Sequence, residues 1–111
     1  MSYHFAVKLD DLWSGEKVGL QIAGHDVLLV RLEQDIFAYV DRCAHRGLSL
    51  VTGRLDGSLL TCSAHEWQYD VRTGAGVNPE SARLHALPVR IEDGAVLVDL
   101  DSLEQGWKPR P

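Results

Sequence analysis

Two short stretches decide the fold of this chain: CAHRG at residues 43–47 and CSAHEWQYD at residues 62–70. They contain both cysteines of the protein, and each cysteine is followed closely by a histidine. Cys43 and His45 are separated by one residue, and Cys62 and His65 by two. Two matched pairs of ligand-forming side chains on separate loops suit two adjacent metal atoms better than a single ion.

The same four side chains leave two other interpretations open. A single zinc ion also accepts two cysteines and two histidines in a tetrahedral shell. Zinc sites usually keep like ligands together in the sequence, whereas cysteine and histidine alternate here. The four could also be ordinary buried cysteines and hydrogen-bonded core histidines, which requires a coincidence of spacing at both pairs. The alternating order therefore favours a two-iron cluster.

The order Cys-x-His followed by Cys-x-x-His resembles the Rieske [2Fe-2S] motif, in which one iron has two thiolate ligands and the other has two imidazoles. The resemblance implies one [2Fe-2S] cluster per chain. It implies further that Cys43 and Cys62 bind the first iron, while His45 and His65 bind the second and form the exposed edge where the electron leaves.

Composition and charge indicate a soluble domain. The 111 residues carry a formal net charge of −5, which argues against a nucleic-acid partner because phosphate backbones attract basic surfaces. Charged residues interrupt the N-terminal region, and no stretch approaches the roughly 18 apolar residues of a membrane span, so we predict neither a secretory signal nor a membrane partner. Thiolate ligands suit a reducing compartment, and we expect the cytoplasm.

Short apolar runs separated by turn signals predict an all-β fold. About nine or ten such runs occur at regular spacing, as in an antiparallel β-sandwich or barrel. Between two of them, Asp93-Gly94 is typical of a hairpin turn. Near the N-terminus, Leu12 and Trp13 are predicted to face inward from one short helical turn.

The expected domain organisation is one Rieske-type domain over residues 1–111. A small cluster-binding subdomain at about 41–80 is inserted into the strand order of a larger base, which is the arrangement that the resemblance implies. A polar C-terminal tail is expected at about 102–111.

Residues beside the predicted ligands indicate the redox potential. High-potential, respiratory Rieske proteins have an extra cysteine in each loop, which together form a disulfide, and a serine two residues after the second histidine. Leu48, Ala64 and Trp67 occupy those positions here. The resemblance therefore implies a potential in the lower half of the range of about −150 to +300 mV. Those proteins also have a tyrosine that donates to a cluster thiolate, and Tyr69 corresponds to it.

Trp67 and Tyr69 each have two interpretations. Strand alternation puts both on the same face as His65. Because aromatic residues are enriched at interface centres, Trp67 near the histidine edge is predicted to dock redox partners; the alternative is packing in the core. Tyr69 either donates its hydroxyl to the cluster and raises the potential, or is a half-buried strand residue whose hydroxyl meets water.

Further motifs narrow the resemblance to one kind of Rieske ferredoxin. Residues 61–67, TCSAHEW, and residues 74–79, GAGVNP, look like the ferredoxin component of toluene, alkene and isoprene monooxygenases, as does the opening LDDLWSGE at residues 9–16. Ala44 and Tyr69 depart from the proline and phenylalanine usual there.

This resemblance implies a one-electron carrier, not an enzyme in itself, that passes electrons from an NADH-dependent flavin reductase to the diiron hydroxylase of a hydrocarbon monooxygenase. Two alternatives remain: the ferredoxin of an aromatic-ring dioxygenase, whose acceptor is a Rieske oxygenase, and a zinc-stabilised binding module.

Overall fold

The computed structural model describes residues 3–41, 50–62, 67–78, 80 and 82–101. Within these residues the chain forms eleven short strands and two 3-10 helices, Leu9–Asp11 and Leu50–Thr52. In chain order the strands are β1 (Tyr3–Lys8), β2 (Lys17–Ile22), β3 (His25–Leu32), β4 (Asp35–Val40), β5 (Arg54–Asp56), β6 (Leu59–Thr61), β7 (Gln68–Asp70), β8 (Gly76–Asn78), β9 (Ala86–Leu87), β10 (Val89–Glu92) and β11 (Ala95–Asp99). The predicted all-β fold is confirmed.

The strands form three antiparallel sheets. Their orders are β1-β11-β10 in the first sheet, β2-β3-β4-β9 in the second and β5-β6-β7-β8 in the third. Strands β4 and β9 are neighbours, with Tyr39 opposite Ala86, although the whole third sheet lies between them in the sequence. The third sheet is therefore an insertion between two paired strands of the second.

Strand β3 separates two hydrophobic cores. Its run of four apolar residues, 27–30, is completely buried. Because successive side chains on a strand point to opposite faces, Val27 and Leu29 join a first core with Val96 and Val98 of β11. Leu28 and Val30 join a second core, shared with residues of the third sheet. Burial of both faces of β3 thus explains why apolar and polar residues do not alternate at positions 27–30.

The turn Asp93-Gly94, at one end of the first sheet, has the conformation that the sequence predicts. Asp93 and Gly94 have φ angles of 50° and 76°, the left-handed values required by a two-residue hairpin loop of this kind. They connect β10 to β11 with Glu92 opposite Ala95. The hairpin prediction is confirmed.

The exposure of Trp13 contradicts one prediction about the N-terminal region. Leu12 is buried as expected, with 3% of its surface exposed, but Trp13 is 71% exposed. The short helix ends at Asp11, and Leu12 is already extended, with φ −120° and ψ 114°. Because neighbouring residues of an extended segment point in opposite directions, only one of the two can face the core.

Candidate metal centre

Of the four predicted ligands, Cys62 lies among the described residues, whereas Cys43, His45 and His65 lie outside them. Within the described part of the chain, no three His, Cys, Asp or Glu side chains converge on a common point. The structure therefore describes one ligand candidate and the chain that flanks the other three.

Cys62 lies where the paired strands β6 and β7 meet the segment 63–66. It directly follows β6 and is buried, with 1% of its surface exposed. Its backbone N–H donates to the carbonyl oxygen of Trp67 over 2.7 Å, and the next pair along the ladder is Thr61 opposite Gln68. The two ends of the segment 63–66, which contains His65, are consequently held together.

A second closure holds the ends of the segment 42–49, which contains Cys43 and His45. Strand β4 leads into Asp41, and the chain is described again from Leu50. The Asp41 carboxylate accepts hydrogen bonds from the N–H groups of Leu50, over 2.6 Å, and Val51, over 3.1 Å. The residues that flank this segment are therefore held together, as Cys62 and Trp67 are.

The residues that flank the two segments lie close to each other. Leu50 and Cys62 both belong to the second core. Gly53 lies so close to β6 that an added Cβ would be 2.3 Å from the carbonyl oxygen of Thr61. The return of the first segment thus packs directly against the residue that precedes Cys62. Two cysteines and two histidines, in two segments whose flanking residues pack together, are a donor set that fits a [2Fe-2S] cluster.

Tyr69 and Trp67 differ in burial. Tyr69 is completely buried in the second core, so the interpretation in which its hydroxyl meets water is wrong. Trp67 is partly buried and packs against the same core, which agrees with a packing role and leaves part of its ring accessible.

Tyr39 is a residue that the sequence reasoning missed. Its hydroxyl donates to the carbonyl oxygen of Val71 over 2.6 Å, and only 2% of its surface is exposed. Burial, with a smaller contribution from the negative charge of Asp70, raises the pKa of Tyr39 to about 12. The hydroxyl therefore stays protonated at neutral pH. A tyrosine inside an apolar strand is a signal of such a bond, because a buried hydroxyl requires a partner.

A surface cleft of about 400 Å³ has none of the four predicted ligands in its lining. Its lining residues include Glu33, Ser58 and Arg72. Strand β4 runs from Asp35, which pairs with Arg72 over 3.3 Å, to the metal side at Asp41. At about 3.3 Å per residue this is roughly 20 Å. The cleft is not part of the candidate metal centre.

No helix in the described ranges is both long and apolar enough to span a bilayer.

Comparison with protein families gives a match over most of the chain. The model of the Rieske [2Fe-2S] domain matches residues 2–88. The ferredoxin component of the alkene monooxygenase system of Xanthobacter autotrophicus (strain ATCC BAA-1158 / Py2) is 42% identical over 96 residues, which cover 86% of this chain and 79% of that protein. The ferredoxin component of the naphthalene 1,2-dioxygenase system of Pseudomonas putida is 31% identical over 96 residues, covering 86% and 92%.

Solved structures with the same fold include the ferredoxin of carbazole 1,9a-dioxygenase from Nocardioides aromaticivorans IC177. It has a TM-score of 0.80 and 26% identity, with coverage of 89% of this chain and 98% of that one. A chain in a complex of reduced oxygenase and oxidized ferredoxin in carbazole 1,9a-dioxygenase has a TM-score of 0.81 and 25% identity, covering 87% and 92%.

Proposed function

The chain belongs to the Rieske [2Fe-2S] domain family and is a ferredoxin with a single [2Fe-2S] cluster, and from this premise we propose that it serves the diiron hydroxylase of a hydrocarbon monooxygenase. Its proposed electron donor is an NADH-dependent flavin reductase. The 42% identity to the ferredoxin component of an alkene monooxygenase system supports this assignment over identities of 30–35% to ferredoxins of dioxygenase systems. The zinc-stabilised module is set aside by the family match.

The proposed ligands are Cys43 and Cys62 on one iron and His45 and His65 on the other. The paired closures support this assignment, because they bring the two ligand-bearing segments out of the same core. When bound, the cluster supplies reversible uptake of one electron at a potential raised by its neutral imidazole ligands. The protein would hold the donors, and the second core, in which Cys62 is buried, would keep water from that thiolate.

Tyr69 is proposed to tune the potential. Its complete burial on the strand that follows the second ligand segment supports this role, since a buried hydroxyl must donate to some acceptor. A hydrogen bond to a cluster thiolate stabilises the reduced cluster and raises the potential.

Trp67 is proposed to dock redox partners next to His45 and His65, where electrons leave. Its partial burial supports an anchored but accessible ring. In the variant Trp67→Ala we expect weaker partner binding with an unchanged cluster spectrum. Equal affinity for the oxygenase in titrations of parent and variant would remove this role.

The cluster-binding subdomain is proposed at about 41–80 and the C-terminal tail at about 102–111, with the whole forming one domain. The insertion of the third sheet between β4 and β9 supports the first boundary. The tail lies outside the described residues. We propose the cytoplasm as the location, because thiolate ligands suit a reducing compartment.

A second candidate acceptor is the Rieske oxygenase of an aromatic-ring dioxygenase. The fold similarity to the ferredoxin of carbazole 1,9a-dioxygenase favours it as the alternative. The two are distinguished by mixing the reduced ferredoxin with a purified diiron hydroxylase or with a purified dioxygenase oxygenase. We expect substrate-dependent reoxidation with the hydroxylase; turnover only with the dioxygenase would replace the first assignment with the second.

A further inference from the structure

We propose that Asp41 is a positioning residue that clamps the two ends of the first ligand segment and so controls how tightly the protein retains its cluster. The inference rests on the proposed ligands, since Cys43 and His45 lie within the segment 42–49. Asp41 itself is not a ligand in this account.

The clamp is one carboxylate oxygen shared by two backbone donors. Oδ1 of Asp41 accepts from the N–H of Leu50 over 2.6 Å and from the N–H of Val51 over 3.1 Å. Only 7% of Asp41 is exposed. Hydrogen bonds to an ionised acceptor are stronger than those between neutral groups, and water has little access to compete for them.

Contacts with strands of the second sheet position Asp41 and Val51. The backbone N–H of Asp41 donates to the carbonyl oxygen of Asp26 over 3.0 Å. On β2, the Lys17 ammonium donates to the carbonyl oxygen of Val51. Gly19, also on β2, lies against both partners: an added Cβ would be 3.2 Å from Oδ2 of Asp41 and 3.2 Å from Cβ of Val51. The carboxylate is therefore positioned by strands, which hold geometry better than loops.

Closing both ends of a ligand-bearing segment affects how fast metal is lost. Iron leaves only when ligands separate from it, and a segment whose ends are fixed has fewer conformations in which its ligands are apart. Removing the clamp leaves the four donors unchanged but lets the segment open. The predicted consequence is faster release of iron rather than a different cluster.

The test compares matched variants of the holoprotein. Asp41→Ala removes the acceptor, whereas Asp41→Asn keeps a carbonyl oxygen at Oδ1. Asp35→Ala is the control, because Asp35 lies exposed at the other end of β4. Iron release is followed as loss of visible absorbance with excess ferrous-iron chelator. We expect at least a tenfold faster release for Asp41→Ala, less than threefold for Asp41→Asn and no change for Asp35→Ala, with the EPR signal of the remaining cluster unchanged.

General destabilisation is controlled by Val98→Ala, which opens a cavity in the first core, away from the clamp. If Asp41→Ala does not fold, Gly19→Ala replaces it, because its new Cβ would lie 3.2 Å from both Oδ2 of Asp41 and Cβ of Val51 and would force the clamp residues to shift. Iron release at least threefold faster than in Val98→Ala, compared at equal loss of melting temperature, supports the proposal. Iron release less than threefold faster than in Val98→Ala overturns the proposal. If the parent protein does not contain two irons per chain, that result overturns the proposed function and not the role of Asp41.

Discussion

The hydroxyl oxygen of Tyr39 lies 2.6 Å from the carbonyl oxygen of Val71, and the hydrogen bond between them joins strand β4 of the second sheet to the residue that follows β7 of the third. The ring packs at the same place, since an added Cβ at Gly74 would be 3.0 Å from Cε1 of Tyr39. One side chain thus ties the inserted sheet to the sheet that receives it.

Tyr39→Phe is expected to lower the free energy of unfolding by about 1–3 kcal/mol, because the variant leaves a buried carbonyl group without this donor. Chemical denaturation of the holoprotein measures the change. Tyr3→Phe is the control: Tyr3 is partly exposed and its ring contacts the guanidinium of Arg90, not the third sheet. Equal losses in the two variants would contradict the role given to Tyr39.

Alkaline pH should destabilise the protein through the same hydroxyl. The pKa of Tyr39 is raised from 10.0 to about 12 in the folded protein, so the folded state favours the neutral form. This contribution is complete below pH 10, where the unfolded tyrosine is also neutral, and is lost as pH rises through 12. The loss at pH 12 is about 2 kcal/mol. Denaturation at several pH values should show a smaller decrease in Tyr39→Phe than in the parent.

Tyr69→Phe is expected to lower the midpoint potential while leaving two irons per chain. The physical reason is loss of a donor that stabilises the more negative, reduced cluster. Tyr39→Phe is the matched control, because it removes a buried hydroxyl bonded to a backbone carbonyl. Redox titration of both variants measures the difference. An unchanged potential in Tyr69→Phe would show that its hydroxyl donates elsewhere.

Gly53→Ala should disturb the contact between the chain that follows the first ligand segment and Thr61, the residue before Cys62. The new Cβ would meet a backbone carbonyl oxygen at 2.3 Å, which cannot rotate away, so we expect a loss of about 1–3 kcal/mol together with incomplete cluster loading. Gly57→Ala is the control, since no atom lies within 4 Å of its added Cβ. Its φ of 61° makes it cost about 1 kcal/mol. Full iron content in Gly53→Ala would contradict this packing argument.

Local sequence signals predicted the local structure well. Short apolar runs predicted strands, as at residues 27–30, which lie in β3, and Asp93-Gly94 forms the predicted hairpin turn. The prediction that Trp13 faces inward was wrong because hydrophobicity alone does not say which of two neighbouring residues faces the core. The extended backbone at Leu12 decides which one does.

The contacts that support the candidate centre could not be predicted in this way. Asp41 bonds to residues 50 and 51, and Tyr39 to residue 71. Such partners are distant in the sequence and are set by how the third sheet packs on the second. The ligand motif, by contrast, consists of two short stretches of sequence, each with a fixed spacing between cysteine and histidine. The type of cluster was therefore predictable from the sequence, whereas the hydrogen bonds that support it were not.

The most direct test of this account is EPR of the reduced holoprotein with ¹⁵N-labelled histidine, combined with iron analysis. The account predicts two irons per chain and a mixed-valence signal coupled to nitrogens of two histidines, with the coupling reduced in His45→Cys and His65→Cys. A single metal ion per chain, or a reduced cluster without histidine coupling, would contradict it.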